Sequence, residues 1–175
     1  VAMDLVRPYD YQAWWAAVAY GRAAFYFLFR GVPPFVVGAL AFHLRLPAAP
    51  GVWVAFAASV ALAVAVTFTY RFLVELSAFW LVDNRGLQQF AWLTAQLLSG
   101  TVVPLVLVPD GVEPLIRALP FAAMVNAPVE VFLGKHRGLD LLTLYAGQAA
   151  WVVVLACAGR LMLWRATRRL EVQGG

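Results

Sequence analysis

The chain has 175 residues, of which 63% are hydrophobic and 13% charged, and its formal net charge is +4. A soluble domain averages about 45–50% apolar and about 25% charged residues, and one this small buries only about 70% of its unfolded surface. These figures exclude a disordered chain, a nucleic-acid-binding domain and an ordinary water-soluble enzyme, and they make the bilayer the natural solvent.

The first stretch, Tyr11 to Gly21, carries Trp14, Trp15 and Tyr20, side chains that favour a membrane–water interface. It feeds a span over Ala23 to Leu44 that is apolar except for Arg30 and His43. Gly31, Pro33 and Pro34 follow Arg30, so the helix is expected to kink or break there. Arg30 costs about 2.5–3.5 kcal/mol at a helix centre on insertion scales. It is a candidate pathway residue, although snorkelling to the interface accounts for it more simply.

Three stretches read as uninterrupted spans: Val52 to Tyr70, Leu87 to Pro109 and Leu141 to Gly159, of 19, 23 and 19 residues and free of Asp, Glu, Lys and Arg. A helix rises 1.5 Å per residue, so about 20 residues cross a hydrocarbon core of about 30 Å. The expected fold is an all-α polytopic membrane helix bundle. Four transmembrane helices (about 16–45, 52–74, 87–109 and 139–163) and a tail over 164–175 make one transmembrane domain. Arg71 and Glu75, four apart, share a helix face and are positioned to pair. Ser99-Gly100 suits close helix packing.

The segment Asp110 to Gly138 is 29 residues long, largely apolar, and contains Pro114, Pro120 and Pro128. A structureless loop of that length is uncommon. It is expected to form a pair of short helices dipping into the outer leaflet, with starts near Pro114 and Pro128, provided protein shields the turn. Glu130 in this segment either lines an exit path or points to water. Gly134-Lys135-His136-Arg137-Gly138 reads as a basic surface turn.

Twelve of the 13 basic residues are Arg. With the N-terminus, the 71–86 loop and the tail on one side, that side holds eight basic residues against four opposite. The positive-inside rule then puts both ends in the cytoplasm. Cys157 lies in an apolar run as a small buried residue, without a disulfide partner in the chain. No G-x-x-x-x-G-K-[ST] loop is present, Ser59, Ser77 and Ser99 lack a G-x-S-x-G context, and His43 and His136 lie apart from paired carboxylates in the sequence. No catalytic residue, metal or cofactor is expected.

The run Phe79-Trp80, Ser99-Gly100, Pro104-Leu105, Pro109, Leu119-Pro120-Phe121, Pro128, Gly134, Trp164 and Arg168-Arg169-Leu170, with Leu5-Val6-Arg7-Pro8 and Gly21 upstream, resembles the permease subunits of ABC-2 type transporters, in the uncharacterised or drug-export branch. The resemblance implies a membrane-spanning permease subunit of an ATP-driven exporter in a bacterial inner membrane. It would work as a homo- or heterodimer with a second permease subunit, contacting membrane lipids and no nucleic acid, while a separate ATP-binding subunit hydrolyses ATP. It also implies six spans, of which this chain, opening on Val1, matches the third to sixth. By that mapping Arg7, Asp10, Arg71, Glu75, Asp83 and Arg85 face the ATPase. Gly100, Pro104, Pro120 and Glu130 belong to the outer gate and re-entrant region, and Arg30 to the pathway. The alternatives from other classes are a membrane-embedded lipid-modifying enzyme, with Glu130 and His136 as its polar pair, and an accessory structural subunit.

Overall fold

The structure, a computed structural model, describes residues 10–42, 46–81, 83–109 and 111–167. All regular elements among these residues are helical. The chain divides into two units at Pro50 and Gly51.

The first unit is a continuous helical rod with one irregular turn. Asp10 caps α1 (Tyr11–Tyr26), accepting from the Ala13 N–H at 2.9 Å, a contact that contributes about 1 kcal/mol. A π turn over Phe27–Gly31 leads into α2 (Val32–Phe42), with the Val32 N–H bonded to the Phe27 carbonyl. The expected break near Arg30 is therefore this π turn. Pro33 and Pro34 carry no N–H, so two carbonyls of the preceding turn lose their helical donors, and a widened turn absorbs the mismatch. Together α1, the π turn and α2 are long and apolar enough to cross a membrane.

In the second unit, α3 (Pro50–Leu76) and α8 (Leu139–Thr167) meet the same criterion. At 1.5 Å per residue, each is about 40 Å long. The buried side of α3 is a single stripe: Ser59, Ala63, Val66, Thr69, Phe72 and Leu76, at the three- and four-residue spacing of one helix face. Thr67 and Thr69 donate to the carbonyls of Ala63 and Ala65 at 2.8 and 2.9 Å, so their hydroxyls are satisfied inside the helix.

The apolar run 87–109 departs from an uninterrupted helix. Helix α4 covers Arg85–Leu98 only, about 21 Å of rise. It stops at Gly100, whose φ is +87°, a conformation that favours glycine. The chain then turns through residues 99–103 to a short 3-10 turn at Leu105–Leu107. Apolar composition carries no trace of that dihedral.

Three short helices follow: α5 (Glu113–Ala118), α6 (Pro120–Met124) and α7 (Asn126–Phe132). Pro114 and Pro120 occupy first-turn positions, where a missing N–H costs nothing. Pro128 lies two residues inside the start of α7. The expected pair of short helices is thus a triplet. It packs along much of the length of α3. Phe132 packs against Trp53 and Phe56, at ring distances of 5.5 and 5.3 Å, whereas Phe121 packs edge-on to Tyr70 at 5.2 Å. The α3 helix between Phe56 and Tyr70 measures about 21 Å, more than half of a hydrocarbon core of about 30 Å. Phe121, Met124 and Val66 form a buried cluster with Ala95 and Leu98 of α4 and Trp151, Val152 and Leu155 of α8 packed around it. Cys157 is exposed on α8, which corrects its expected burial.

Candidate functional site

Two features gather polar chemistry in the second unit: a cleft between α3 and α4, and a charged cluster that ties α5, α7 and α8 together.

The cleft follows from the composition of α4. One face repeats Arg85, Gln88, Gln89, Trp92 and Gln96, and the other carries Leu87, Phe90, Leu93 and Leu97. A polar face at membrane depth is stable only against protein or a water-filled cavity. Here it lines a cavity of about 580 Å³ whose other wall is Thr67, Tyr70, Arg71 and Val74 of α3. Its deep end is Ser99, Met124 and Val125, where the end of α4 meets the re-entrant turn. Asn126 lies against Gly100 at that junction: a β-carbon on Gly100 would stand 3.6 Å from Asn126 Oδ1 and 3.5 Å from Leu105. Tyr70 ties the walls together by donating to the Ala91 carbonyl at 3.1 Å.

The turn from α3 to α4 is built on Asn84, which is buried. Its side chain donates to the Val74 carbonyl at 3.0 Å and accepts from the Ser77 hydroxyl at 2.8 Å. Asp83 accepts from the Arg85 N–H at 2.9 Å. Arg71 and Glu75 do not pair. Glu75 instead accepts from Gln88 Nε2 at 3.3 Å, and Arg71 turns to the cleft.

The charged cluster centres on Glu130, whose side chain is 7% exposed. Arg117 donates to both of its oxygens, at 3.1 and 2.8 Å, and through Nε to Glu113 at 2.7 Å. His136 Nε2 is 3.1 Å from Glu130 and Nδ1 is 2.6 Å from Asp140. Two carboxylates therefore bracket His136, which corrects the reading that paired carboxylates are far from it. Glu130 is buried, so it does not point to water. Burial pushes its carboxyl up, but the hydrogen bonds from Arg117 and His136 outweigh that and hold it at about 2. The bond to Glu130 likewise raises the Arg117 guanidinium. Burial lowers the His136 imidazole, but its bonds to Glu130 and Asp140 raise it on balance. These bonds fasten α5, α7 and the start of α8 to one another.

Gln148, 1% exposed, went unnoticed in the sequence because it is uncharged. Its Nε2 donates to the carbonyls of Ser59 and Ala123, at 3.2 and 3.0 Å, and its Oε1 accepts from the Ser59 hydroxyl at 3.1 Å. A glutamine in the middle of an apolar run was the available signal. By occupying a carbonyl at the end of α6, which has no helical donor, it supplies the shielding a re-entrant turn needs.

The remaining candidate residues are dispersed. Arg30 is exposed, with its guanidinium 5.7 Å from the Tyr26 ring centre. Asp10 is a helix cap. Pro104 precedes the Leu105–Leu107 turn and is exposed, whereas Pro120 is buried at the start of α6. Arg7 and His43 lie outside the described residues. No group of three His, Cys, Asp or Glu among the described residues could hold a metal ion.

Long apolar helices, a half-length amphipathic helix and a re-entrant helical segment define a polytopic helical membrane protein built around a polar cleft. A family model described as "ABC-2 family transporter protein" matches residues 2–174, and the chain belongs to that family. It is a membrane permease component of an ABC transporter, a family that works with an ATP-binding subunit. No curated protein and no solved structure matches the chain.

Proposed function

We propose that the chain is the permease subunit of an ATP-driven exporter in a bacterial inner membrane, with both chain ends cytoplasmic. It pairs with a second permease subunit, and a separate ATP-binding subunit drives it. The observation that carries this reading is the meeting of two incomplete elements. Helix α4 stops at Gly100, the re-entrant turn arrives at Asn126, and a polar cleft runs from that junction toward the Leu76 end of α3. The eight-to-four distribution of basic residues favours a cytoplasmic location for the Leu76 end. The cleft is then the cytoplasmic entrance of the translocation path, and α5 to α7 close it on the outer side. The third crossing consists of α4 and the irregular segment 99–109. The resemblance assigns Arg7, Asp10, Arg71, Glu75, Asp83 and Arg85 to the ATPase-facing side, and of these Arg71 and Arg85 line the cleft. ATP-driven closure of the partner would push on the α3–α4 turn, and the bundle would alternate between two packings.

The test is access to the deep end of the cleft. In a Cys157→Ala background, a cysteine replacing Gln96 or Met124 is exposed to a membrane-impermeant maleimide from either side. Labelling from the cytoplasmic side at rest, and from the outer side after vanadate trapping with the ATP-binding subunit, is expected. Failure to co-purify with, or respond to, any co-expressed ATP-binding subunit would overturn the reading.

A further inference from the structure

Among the described residues, the two arginines of the cleft have no side-chain partner. Arg71 and Arg85 both line it, and neither guanidinium makes an ion pair or side-chain hydrogen bond with a described residue. This contrasts with Arg117 of the same unit, which is engaged with two carboxylates. The nearby carboxylates keep their charge but take neutral donors instead of the guanidinium groups: Glu75 accepts from Gln88 and Asp83 from the backbone of Arg85. Two cations without a described partner in one partly enclosed cavity repel each other and attract an anion. Planar guanidinium groups suit the oxygens of a phosphate or carboxylate in particular.

The rest of the lining is graded. Beyond the arginines come Gln88, Gln89 and Gln96, which are uncharged hydrogen-bonding groups, and then Met124 and Val125 at the deep end, with the Ser99 hydroxyl beside them satisfied by Thr101. Charge at one end, amides between and apolar side chains beyond match a molecule with an anionic head and a less polar body. An inorganic anion would use only the first part of such a cleft.

We propose that this cleft binds an anionic amphiphile, with Arg71 and Arg85 holding its phosphate-like head group and the deep end taking its apolar body. The proposal rests on reading the cleft as the entrance of a permease path and names the substrate class for it. Its readout needs neither ATP nor the partner subunit, so the two ideas fail separately.

The experiment measures protection of a cysteine replacing Gln96, in the Cys157→Ala background, from maleimide labelling of the purified full chain in phosphatidylcholine nanodiscs. The probes are dodecyl phosphate, dodecylphosphocholine of the same chain length, and inorganic phosphate. Dodecyl phosphate is expected to slow labelling about tenfold, and the other two less than about twofold at equal concentration. Arg71→Gln with Arg85→Gln is expected to abolish the protection. Both side chains are exposed, and an unchanged SDS-unfolding midpoint would show that the variant still folds. Equal protection by the phosphocholine would overturn the requirement for a net anion. Equal protection by inorganic phosphate would reduce the site to one for the free ion. A cysteine that is unreactive without probe and crosslinks to a second copy would make the cleft a subunit interface. Protection that survives loss of both arginines would remove their role.

Discussion

Gln148 and Ser59 exchange two hydrogen bonds across the α3–α8 contact, one through the serine hydroxyl and one through its carbonyl, while the same carboxamide holds Ala123 of the re-entrant segment. One side chain thus joins three elements that are far apart in sequence. Replacing Gln148 by Leu leaves a buried hydroxyl and two carbonyls without these donors and acceptor. Hydrogen bonds between membrane helices contribute about 0.6–2 kcal/mol, and a stranded buried group costs about 1–3 kcal/mol. Gln148→Leu is expected to destabilise the chain by about 2 kcal/mol in an SDS-unfolding titration. Adding Ser59→Ala should recover part of that loss, because one stranded partner is then removed.

Removing the two partners of the Arg117–Glu130 pair should not be equivalent. Glu130 is nearly enclosed, whereas the Arg117 side chain is 37% exposed. Arg117→Ala strands a buried carboxylate with His136 as its remaining charged partner. Glu130→Gln leaves a guanidinium that water and Glu113 can still reach. A half-exposed pair is discounted from the roughly 3–5 kcal/mol of a fully buried one. The expected losses are about 2 kcal/mol for Arg117→Ala and about 1 kcal/mol for Glu130→Gln. The unfolding titration that ranks them in the opposite order would contradict the assigned burial.

The same cluster sets a pH window. The Glu130 carboxyl is lowered from 4.5 to about 2. Its contribution is therefore complete above about 4.5 and is lost as pH falls from there toward 2. The His136 imidazole is raised from 6.5, so its contribution is complete below about 6.5 and is lost as pH rises through the elevated value. The fastening of α5, α7 and α8 should be strongest between about pH 4.5 and 6.5. Thermal unfolding of the parent and of His136→Gln, compared across pH, should show a stability gap that narrows as pH rises above 6.5. A gap constant from pH 5 to 9 would mean that the imidazole charge plays no part.

Gly100 tests conformation separately from space. Its φ of +87° disfavours any side chain with a β-carbon, yet the nearest atoms to such a carbon stand at ordinary contact distances of 3.5 to 3.7 Å. Gly100→Ala is expected to cost about 1 kcal/mol, and Gly100→Asn less, since asparagine tolerates positive φ better than alanine. A much larger loss for alanine, or a larger loss for asparagine than for alanine, would point to crowding against Asn126 and Leu105.

The long helices α3 and α8 were legible because uncharged apolar runs of that length have few alternatives. The re-entrant segment was legible for a related reason: Leu115, Phe121 and Val131 are too apolar to sit in an aqueous loop. What stayed hidden depends on contacts between distant residues. Nothing local to Arg117 indicates a carboxylate thirteen positions away, and His136 looks like part of a basic turn until Glu130 and Asp140 fold onto it. The interruption of the 87–109 run was hidden differently. Ser99-Gly100 suggested close packing, which Asn126 and Leu105 supply, but one glycine dihedral also ends the helix.

The π turn over Phe27–Gly31 carries its own consequence. It holds one residue more than an α-helical turn, and each residue of an α-helix advances the azimuth by about 100°. The sequence periodicity of α2 is therefore out of phase with that of α1 by that angle. Deleting a single residue between Phe27 and Gly31 would turn the π turn into an α turn and leave Val32–Phe42 facing almost the same way, because the wider turn already absorbs the extra residue. The π turn thus lets the rod carry one extra residue without changing which way α2 faces, and shifts by one residue the sequence pattern that must line up with neighbouring helices or lipid.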